Sequence, residues 1–476
     1  MNSGAIRMSI EIPDEITLEF AQDNVKDESW AEYVDSNYLS ILDGLEDREQ
    51  LAEMCRALAF TLIHMIDGKD CTDRTYQTNR HTIDICRIGI NSFNDQPDKE
   101  AMTVKHISES DLEGDLYSYM ATAMINCGRP ISAFGYYDSA EKCYECAANL
   151  YSGIDKEYAD RMRLGYEICR SKEAELYLRL IPDIPEKYRP MFATVANSYL
   201  THTIVRQSDL GEKDNVEHCI ELLYYAENYG LKYPLFDQNE IDAMNRDSIT
   251  DDYVRWCEET VKFLNLFNEI PHHNAKYACD DIILDLDERH QWLLEDIIKT
   301  YDHCRRIFYR ISKDPMEFIQ KSRDDDIESL IDCYVRLYTL LDKSAKLIDY
   351  LFPRDGDRDK LKFYDVTESL SNSPNPYLRA LYHINCDIFP DRYTNVSGTY
   401  DPRNDVFGFI QKRGFIRNCI MHDTLKIQSE DEPKTGYFYV ASVTPLELTK
   451  CTVSMFYDVR EIILNIQLAY EYRKSN

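Results

Sequence analysis

Apolar residues recur every three to four positions along almost the whole chain, and glycine or proline cuts that pattern into helix-length pieces. From about residue 34 to 260 the periodicity predicts helices near 36–66, 74–94, 112–127, 131–152, 155–180, 186–206, 214–229 and 248–267. Their breaks fall at Gly68, Pro97, Gly128 with Pro130, Gly153, Pro182 with Pro185, Gly211, Gly230 and Pro234. Helices of this length in unbroken succession predict antiparallel pairs stacked as a solenoid. Residues 1 to about 30 read as an acidic lead-in, with one strand-like stretch from Met8 to Ile12 that Pro13 stops.

The pattern continues at 290–312, 326–352 and 376–387, separated by acidic stretches at Asp324–Asp326 and Asp355–Asp359. The second begins like a calcium loop, but Val366 stands where the chelating glutamate would be, so both read as solvated turns. Leu425–Gln428 and Tyr437–Ala441 alternate around a polar turn at Lys434–Gly436, which predicts a β-hairpin. Thr444-Pro445-Leu446-Glu447 then signals a helix start, with an N-cap threonine, proline at the first position and glutamate closing a capping box. That helix runs to about Arg473 and buries Val459, Ile462, Ile463, Ile466 and Ala469. The fold class is therefore all-α: a solenoid-like N-terminal region over 1–260 and a C-terminal helical bundle over 261–476 with one small hairpin. Tyrosine and alanine crowd the N-terminal helices, as in Ala196–Tyr199 and Tyr224–Tyr229, in the manner of degenerate tetratricopeptide repeats. No fixed period of about 34 residues survives, so an irregular bundle fits the same pattern. The tyrosines suit core filling with a wet hydroxyl better than stacking on bases.

A chain of 476 residues predicts two to three domains, each able to bury a core. The absence of any apolar run of about 18 residues, together with an N-terminus lacking a hydrophobic core, predicts a cytoplasmic protein with neither membrane span nor secretory signal. Fifteen cysteines scattered among helical patterns read as buried reduced thiols. The lone Cys143-x-x-Cys146 lacks a second pair for zinc. A net charge of −31 excludes non-specific binding of nucleic acid or anionic membrane by the whole surface. One window reverses the sign. From Asp401 to Ile427 five basic residues, Arg403, Lys412, Arg413, Arg417 and Lys426, face three acids.

Within that window stands Arg417-Asn418-Cys419-Ile420-Met421-His422. On a helix, Arg417, Met421, Asn418 and His422 fall at about 0, 40, 100 and 140°, with Ile416, Cys419 and Ile420 opposite. One face then buries while the other presents a guanidinium, an amide and an imidazole. Histidine can take a 2′-hydroxyl proton near neutral pH or protonate the leaving oxygen. Arginine offers a planar fork of donors to phosphorane oxygens, and no metal or cofactor is required. An amphipathic surface helix carrying an ordinary arginine and histidine satisfies the same spacing.

These residues resemble the signature of the HEPN superfamily (higher eukaryotes and prokaryotes nucleotide-binding domain). Tyr334–Ile348, with Leu341-Asp342-Lys343 within it, is similar to a core helix of one bacterial branch, and Asn375–Tyr382 followed by Cys386–Phe389 to the segment before the signature. Phe263-Leu264-Asn265 and Asp285-Leu286-Asp287 resemble that domain's start, so the similarity covers roughly the last 210 residues. It implies a helical-bundle ribonuclease that dimerises with signature helices facing, so that Arg417, Asn418 and His422 of two subunits share one cleft. Lys412, Arg413 and Lys426 would then contact the RNA substrate, and the N-terminal helices would receive an unknown protein or nucleic-acid trigger, as in a bacterial toxin or anti-phage effector. A non-catalytic HEPN scaffold or nucleotide- or RNA-binding regulatory module is the alternative. Asp423 departs from the resemblance, which expects a basic residue there, and lowers the local positive charge.

Overall fold

Among the described residues, fourteen α-helices, two 3₁₀ turns (Ile181–Asp183 and Glu186–Tyr188) and one pair of short strands are the ordered elements of the computed structural model. Outside its described residues lie 1–11, 67–72, 95–109, 232–251, 267–279, 313–323, 354–360, 390–423 and 428–439, with a few scattered positions. The strand-like Met8–Ile12 and the tight turn at Lys434–Gly436 fall almost wholly in this set, as does most of the helix expected at 248–267. The chain divides into two compact units, Met1–Ile181 with Pro190–Leu231, and Pro182–Arg189 with Lys232–Asn476.

Unit 1 holds α1 (Leu18–Asp23), α2 (Glu28–Leu42), α3 (Arg48–Ile66), α4 (Asp73–Asn94), α5 (Ser110–Asn126), α6 (Pro130–Tyr151), α7 (Lys156–Leu180), α8 (Arg189–Leu210) and α9 (Asp214–Glu227). The single helix expected over 36–66 is two, because Asp47 starts a new one by accepting a hydrogen bond from Gln50 N at 2.8 Å. Asp27 and Asp155 cap α2 and α7 in the same way, accepting from Trp30 N at 2.9 Å and Tyr158 N at 3.0 Å. From α2 through α7, each helix packs chiefly on its sequence neighbours.

Aromatic side chains fill this core, as their helical spacing predicts. Tyr177 is fully buried, with Phe134 at 4.5 Å and Phe192 edge-on at 5.3 Å between ring centroids. Tyr144 lies where only glycine leaves room. A Cβ built at Gly114 would stand 3.1 Å from its ring and one at Gly165 3.0 Å, so α5 and α7 close on the ring from either side. Its hydroxyl donates to Asp115 Oδ1.

A polar cluster joins α6, α7 and α8. Glu167 is buried, and its Oε2 accepts from Thr203 Oγ1 at 3.0 Å and lies 3.3 Å from His202 Nδ1. The Arg170 guanidinium donates to the Tyr166 hydroxyl at 3.0 Å and sits 4.4 Å over the Tyr199 ring. Burial pushes the Glu141 carboxyl up to about 8; the charge of Arg170 and a hydrogen bond with Glu173 oppose this, and the charges of Asp138 and Glu167 reinforce it. A carboxyl whose folded pKa is raised costs stability on ionising, so stability present at low pH is lost as pH rises from 4.5 to about 8. Glu141→Gln, which mimics the neutral acid, should therefore flatten the fall in the unit's Tm between about pH 5 and about pH 9. Calorimetric scans across that range test this, and an unchanged slope would refute it.

Unit 2 holds α10 (Glu288–Ser312), α11 (Asp324–Leu351), α12 (Phe363–Glu368), α13 (Pro376–Ile388), β1 (Thr424–Ile427), β2 (Val440–Val443) and α14 (Pro445–Ser475). α11 packs on α10, α12 and α14, and α13 packs on α12 and α14. The capping box forms as expected: Thr444 N donates to Glu447 Oε2 at 2.9 Å, and Glu447 N to Thr444 Oγ1 at 3.2 Å. Val459, Ile462, Ile463, Ile466 and Ala469 are all buried on α14. Asn375 caps α13 and donates from Nδ2 to Ala469 O at 2.9 Å, fixing the start of α13 against α14.

The hairpin expectation is corrected. β1 and β2 pair in parallel, with Thr424 opposite Val440 and Ile427 opposite Val443. Parallel strands cannot be closed by a tight turn and need a crossover connection. Tyr253 and Cys257, which a division at 260/261 leaves with the N-terminal region, pack with Tyr309 of α10 and belong to unit 2.

Candidate functional site

Arg417, Asn418, His422, Lys412 and Arg413 lie outside the described residues, and so do Ile416, Cys419, Ile420 and Asp423. Lys426 belongs to β1, where its backbone pairs in register with Ser442 of β2. The described frame around this stretch has two sides. Before it stands α13, buried along almost its whole length, with His383, Asn385 and Asp387 among its buried residues. After it, β1 pairs with β2, and β2 runs through the Thr444 cap directly into α14. α14 also buries polar groups, including Arg460, Glu461 and Asn465. Burying a charged or amide side chain costs free energy unless it is paired, so α13 and α14 carry more polarity than packing alone requires.

The helix holding Leu341-Asp342-Lys343 is tied on both sides by those residues. Asp342 Oδ1 accepts from Phe363 N at 3.2 Å, starting α12. Lys343 Nζ reaches Asp296 Oδ2 at 2.7 Å and Thr300 Oγ1 at 3.2 Å on α10. Both side chains therefore set the helices' relative positions, and neither is free for chemistry.

Two described constellations escaped the sequence reading. The larger centres on Arg305 of α10, which is 3% exposed. Its fork meets Asp280 twice, Nη1 to Oδ1 at 2.7 Å and Nη2 to Oδ2 at 2.8 Å, and Nη2 also donates to Asp302 Oδ1 at 2.7 Å. Nε donates to the Tyr253 hydroxyl at 2.8 Å, and Arg306 Nε to Asp302 Oδ2 at 2.8 Å. Burial opposes the Arg305 cation, but the Asp280 charge and hydrogen bonds hold its pKa well above the ordinary arginine value. Burial likewise raises Asp302, yet the bonds from Arg306 and Arg305 prevail and hold its carboxyl below the usual range. Asp280 Oδ1 also accepts from Leu264 N at 2.8 Å, and Arg460 of α14 donates to Asn265 O at 3.2 Å. With its fork donors shared among three partners, this cluster holds Tyr253 and Asp280 against α10. Its only trace in the sequence is the single arginine among the apolar positions of α10.

The smaller constellation opens α10. Asp287 caps the helix by accepting from His290 N at 2.9 Å, and its Oδ1 lies 2.7 Å from His290 Nδ1. The Tyr350 hydroxyl donates to Asp287 Oδ2 at 3.1 Å, and its ring stacks on the imidazole with centroids 3.3 Å apart. Bonds from the His290 backbone and side chain hold the Asp287 carboxyl below the usual range. The aspartate fixes an imidazole with Nδ1 engaged, an arrangement suited to proton transfer through the other nitrogen. Asp-x-x-His at a helix start is the local signal for it.

The Cys143–Cys146 pair lies on α6, where burial and the charge of Glu113 push the Cys143 thiol up to about 12. Among the described residues no group of three or more histidine, cysteine, aspartate or glutamate side chains is arranged to hold a metal. No described helix is long and apolar enough to cross a membrane. Comparison with family models, curated proteins and solved structures yields no match.

Removing Arg305 leaves two carboxylates and a tyrosine hydroxyl without their shared partner. Arg305→Met should therefore cost about 3–5 kcal/mol in the urea unfolding of unit 2. Pairing it with Asp280→Leu should restore much of that loss, because the stranded charge then goes too. A single variant as stable as wild type would show that the network contributes nothing.

Proposed function

We propose that this chain is a metal-independent endoribonuclease of the HEPN type, its N-terminal helices serving as the region that receives a trigger. The observation that carries this reading is Arg417-Asn418-x-x-x-His422, standing after segments similar to that branch in the expected order. A predominantly helical chain, in which α11 contains Tyr334–Ile348 and α13 contains Pro376–Tyr382, is consistent with it.

In this reading His422 accepts the 2′-hydroxyl proton. The freed oxygen attacks the adjacent phosphorus, and the P–O5′ bond breaks as an imidazolium returns a proton to the leaving oxygen. Arg417 stabilises the charge that builds on the phosphorane oxygens. Asn418, four residues before His422, orients the imidazole. A C2 dimer brings two such helices to one cleft, which removes the difficulty that Arg417 and His422 diverge by about 140° on a single helix. Lys412, Arg413 and Lys426 hold the RNA backbone in a chain whose overall charge repels it.

The net charge of −31 and Asp423 favour a second reading, a HEPN module that binds without cleaving. Substitution separates the two. Arg417→Ala and His422→Ala should each lower cleavage of total RNA by roughly 10²–10⁴-fold, the loss of a transition-state donor or of the acid–base group. Wild-type rates in either variant would refute the assignment, and an inactive wild type would favour the scaffold.

Cleavage should persist in EDTA and leave 2′,3′-cyclic phosphate ends, because the nucleophile is the substrate's own hydroxyl. Mapping the termini checks this. Ends bearing a 3′-hydroxyl, or activity restored only by magnesium or manganese, would point to a different chemistry.

A further inference from the structure

Helix α9, the last of unit 1, is amphipathic in an unusual sense. Its inner side buries Cys219 and Ala226, with Leu222 and Leu223 half-buried beside them. Its outer side should be polar, since the terminal helix of a stacked array meets water. Instead Ile220, Tyr224 and Tyr225 are 36, 66 and 43% exposed. At 100° per residue, Ile220, Tyr224, Glu217 and Glu221 fall within about 100° of one another, with Tyr225 about 40° further round. Tyr225 is held edge-on to Tyr229 at 5.2 Å, their hydroxyls 2.6 Å apart, so part of this aromatic surface is pre-ordered.

Charge decides what such a face can receive. Asp214, Glu217, Glu221 and Glu227 all belong to α9, which contains neither lysine nor arginine. Exposed tyrosines alone would suit stacked bases, but phosphates would meet these carboxylates at close range, which works against RNA. Apolar contacts ringed by carboxylates suit a segment with apolar residues at helical spacing and lysine or arginine on its flanks. Tyrosine is also among the residue types that supply most binding energy per contact.

We propose that the outer face of α9 is the docking site for a basic amphipathic segment of a partner protein. Ile220 and Tyr224 form the apolar contact, and Glu217 and Glu221 select the flanking charge. This identifies the chemistry of a protein partner for the N-terminal region, and it stands whether or not the chain cleaves RNA.

The test uses the full-length protein and a fluorescent synthetic peptide carrying leucines at helical spacing flanked by lysines, read by anisotropy. Ile220→Ser with Tyr224→Ser should weaken binding by about tenfold or more, and so should Glu217→Lys with Glu221→Lys. Glu145→Lys with Glu157→Lys, on exposed positions of α6 and α7, should leave it unchanged. A scrambled peptide of equal charge should bind weakly to every variant. All substituted positions are exposed, so circular dichroism should show intact folds, and the two α9 pairs report independently. Equal weakening by the control pair would reduce the effect to bulk charge and overturn the proposal. Wild-type affinity in both α9 pairs would do the same, and so would displacement of the peptide by a single-stranded RNA oligonucleotide.

Discussion

A guanidinium removed from water must find its charge and hydrogen bonds met nearby, and Arg305 meets them by drawing in distant chain. Asp280 and Tyr253 come from outside α10, and only Asp302 is local. The bidentate contact with Asp280 has a geometry that lysine could not reproduce. Through Asp280 the same ion pair holds Leu264 N, and through Asn265 O it communicates with Arg460 on α14. The buried charge thus ties residues distant in sequence, Tyr253 and Asp280, to α10. Replacing ion pairs of this kind by apolar residues often leaves stability unchanged, so their contribution is to specify one arrangement more than to strengthen it.

Unit 1 solves a similar problem with different means. Its helices close on aromatic rings, and glycine at Gly114 and Gly165 lets two of them approach Tyr144. The polar cluster of Glu141, Glu167, Arg170, Glu173, His202 and Thr203 puts several carboxyls around one guanidinium, and burial pushes the Glu141 carboxyl up to about 8 against the opposing charge of Arg170. These helices pack tightly on one another, whereas α9 leaves apolar side chains uncovered on its outer face.

In sequence, the Arg417–His422 stretch of the proposed chemistry lies between α13 and the β1–β2 pair that leads into α14. Both helices are buried almost all round, and both include polar side chains within that burial. Metal-independent RNA cleavage needs little more than one proton-transfer group and one fixed cation held rigidly.

Much of this architecture was legible from sequence alone, because its causes are local. Apolar spacing set the helices at 74–94, 131–152, 290–312 and 326–352 to within two residues of where they stand. The Thr444–Glu447 capping box is written in four adjacent residues and forms as read. The spacing of Arg417, Asn418 and His422 is likewise a property of sequence, and these residues lie outside the described ones. Tertiary structure decided what depends on partners far along the chain. A hairpin and a parallel pair draw on the same alternating residues, and only the relative direction of β1 and β2 distinguishes them. Asp280 lies 25 positions from Arg305, and Tyr350 lies 63 from Asp287, so neither contact has a sequence period to betray it. The break between α2 and α3 belongs to the same lesson at short range, since an uninterrupted apolar rhythm outweighed one capping aspartate in the reading but not in the fold.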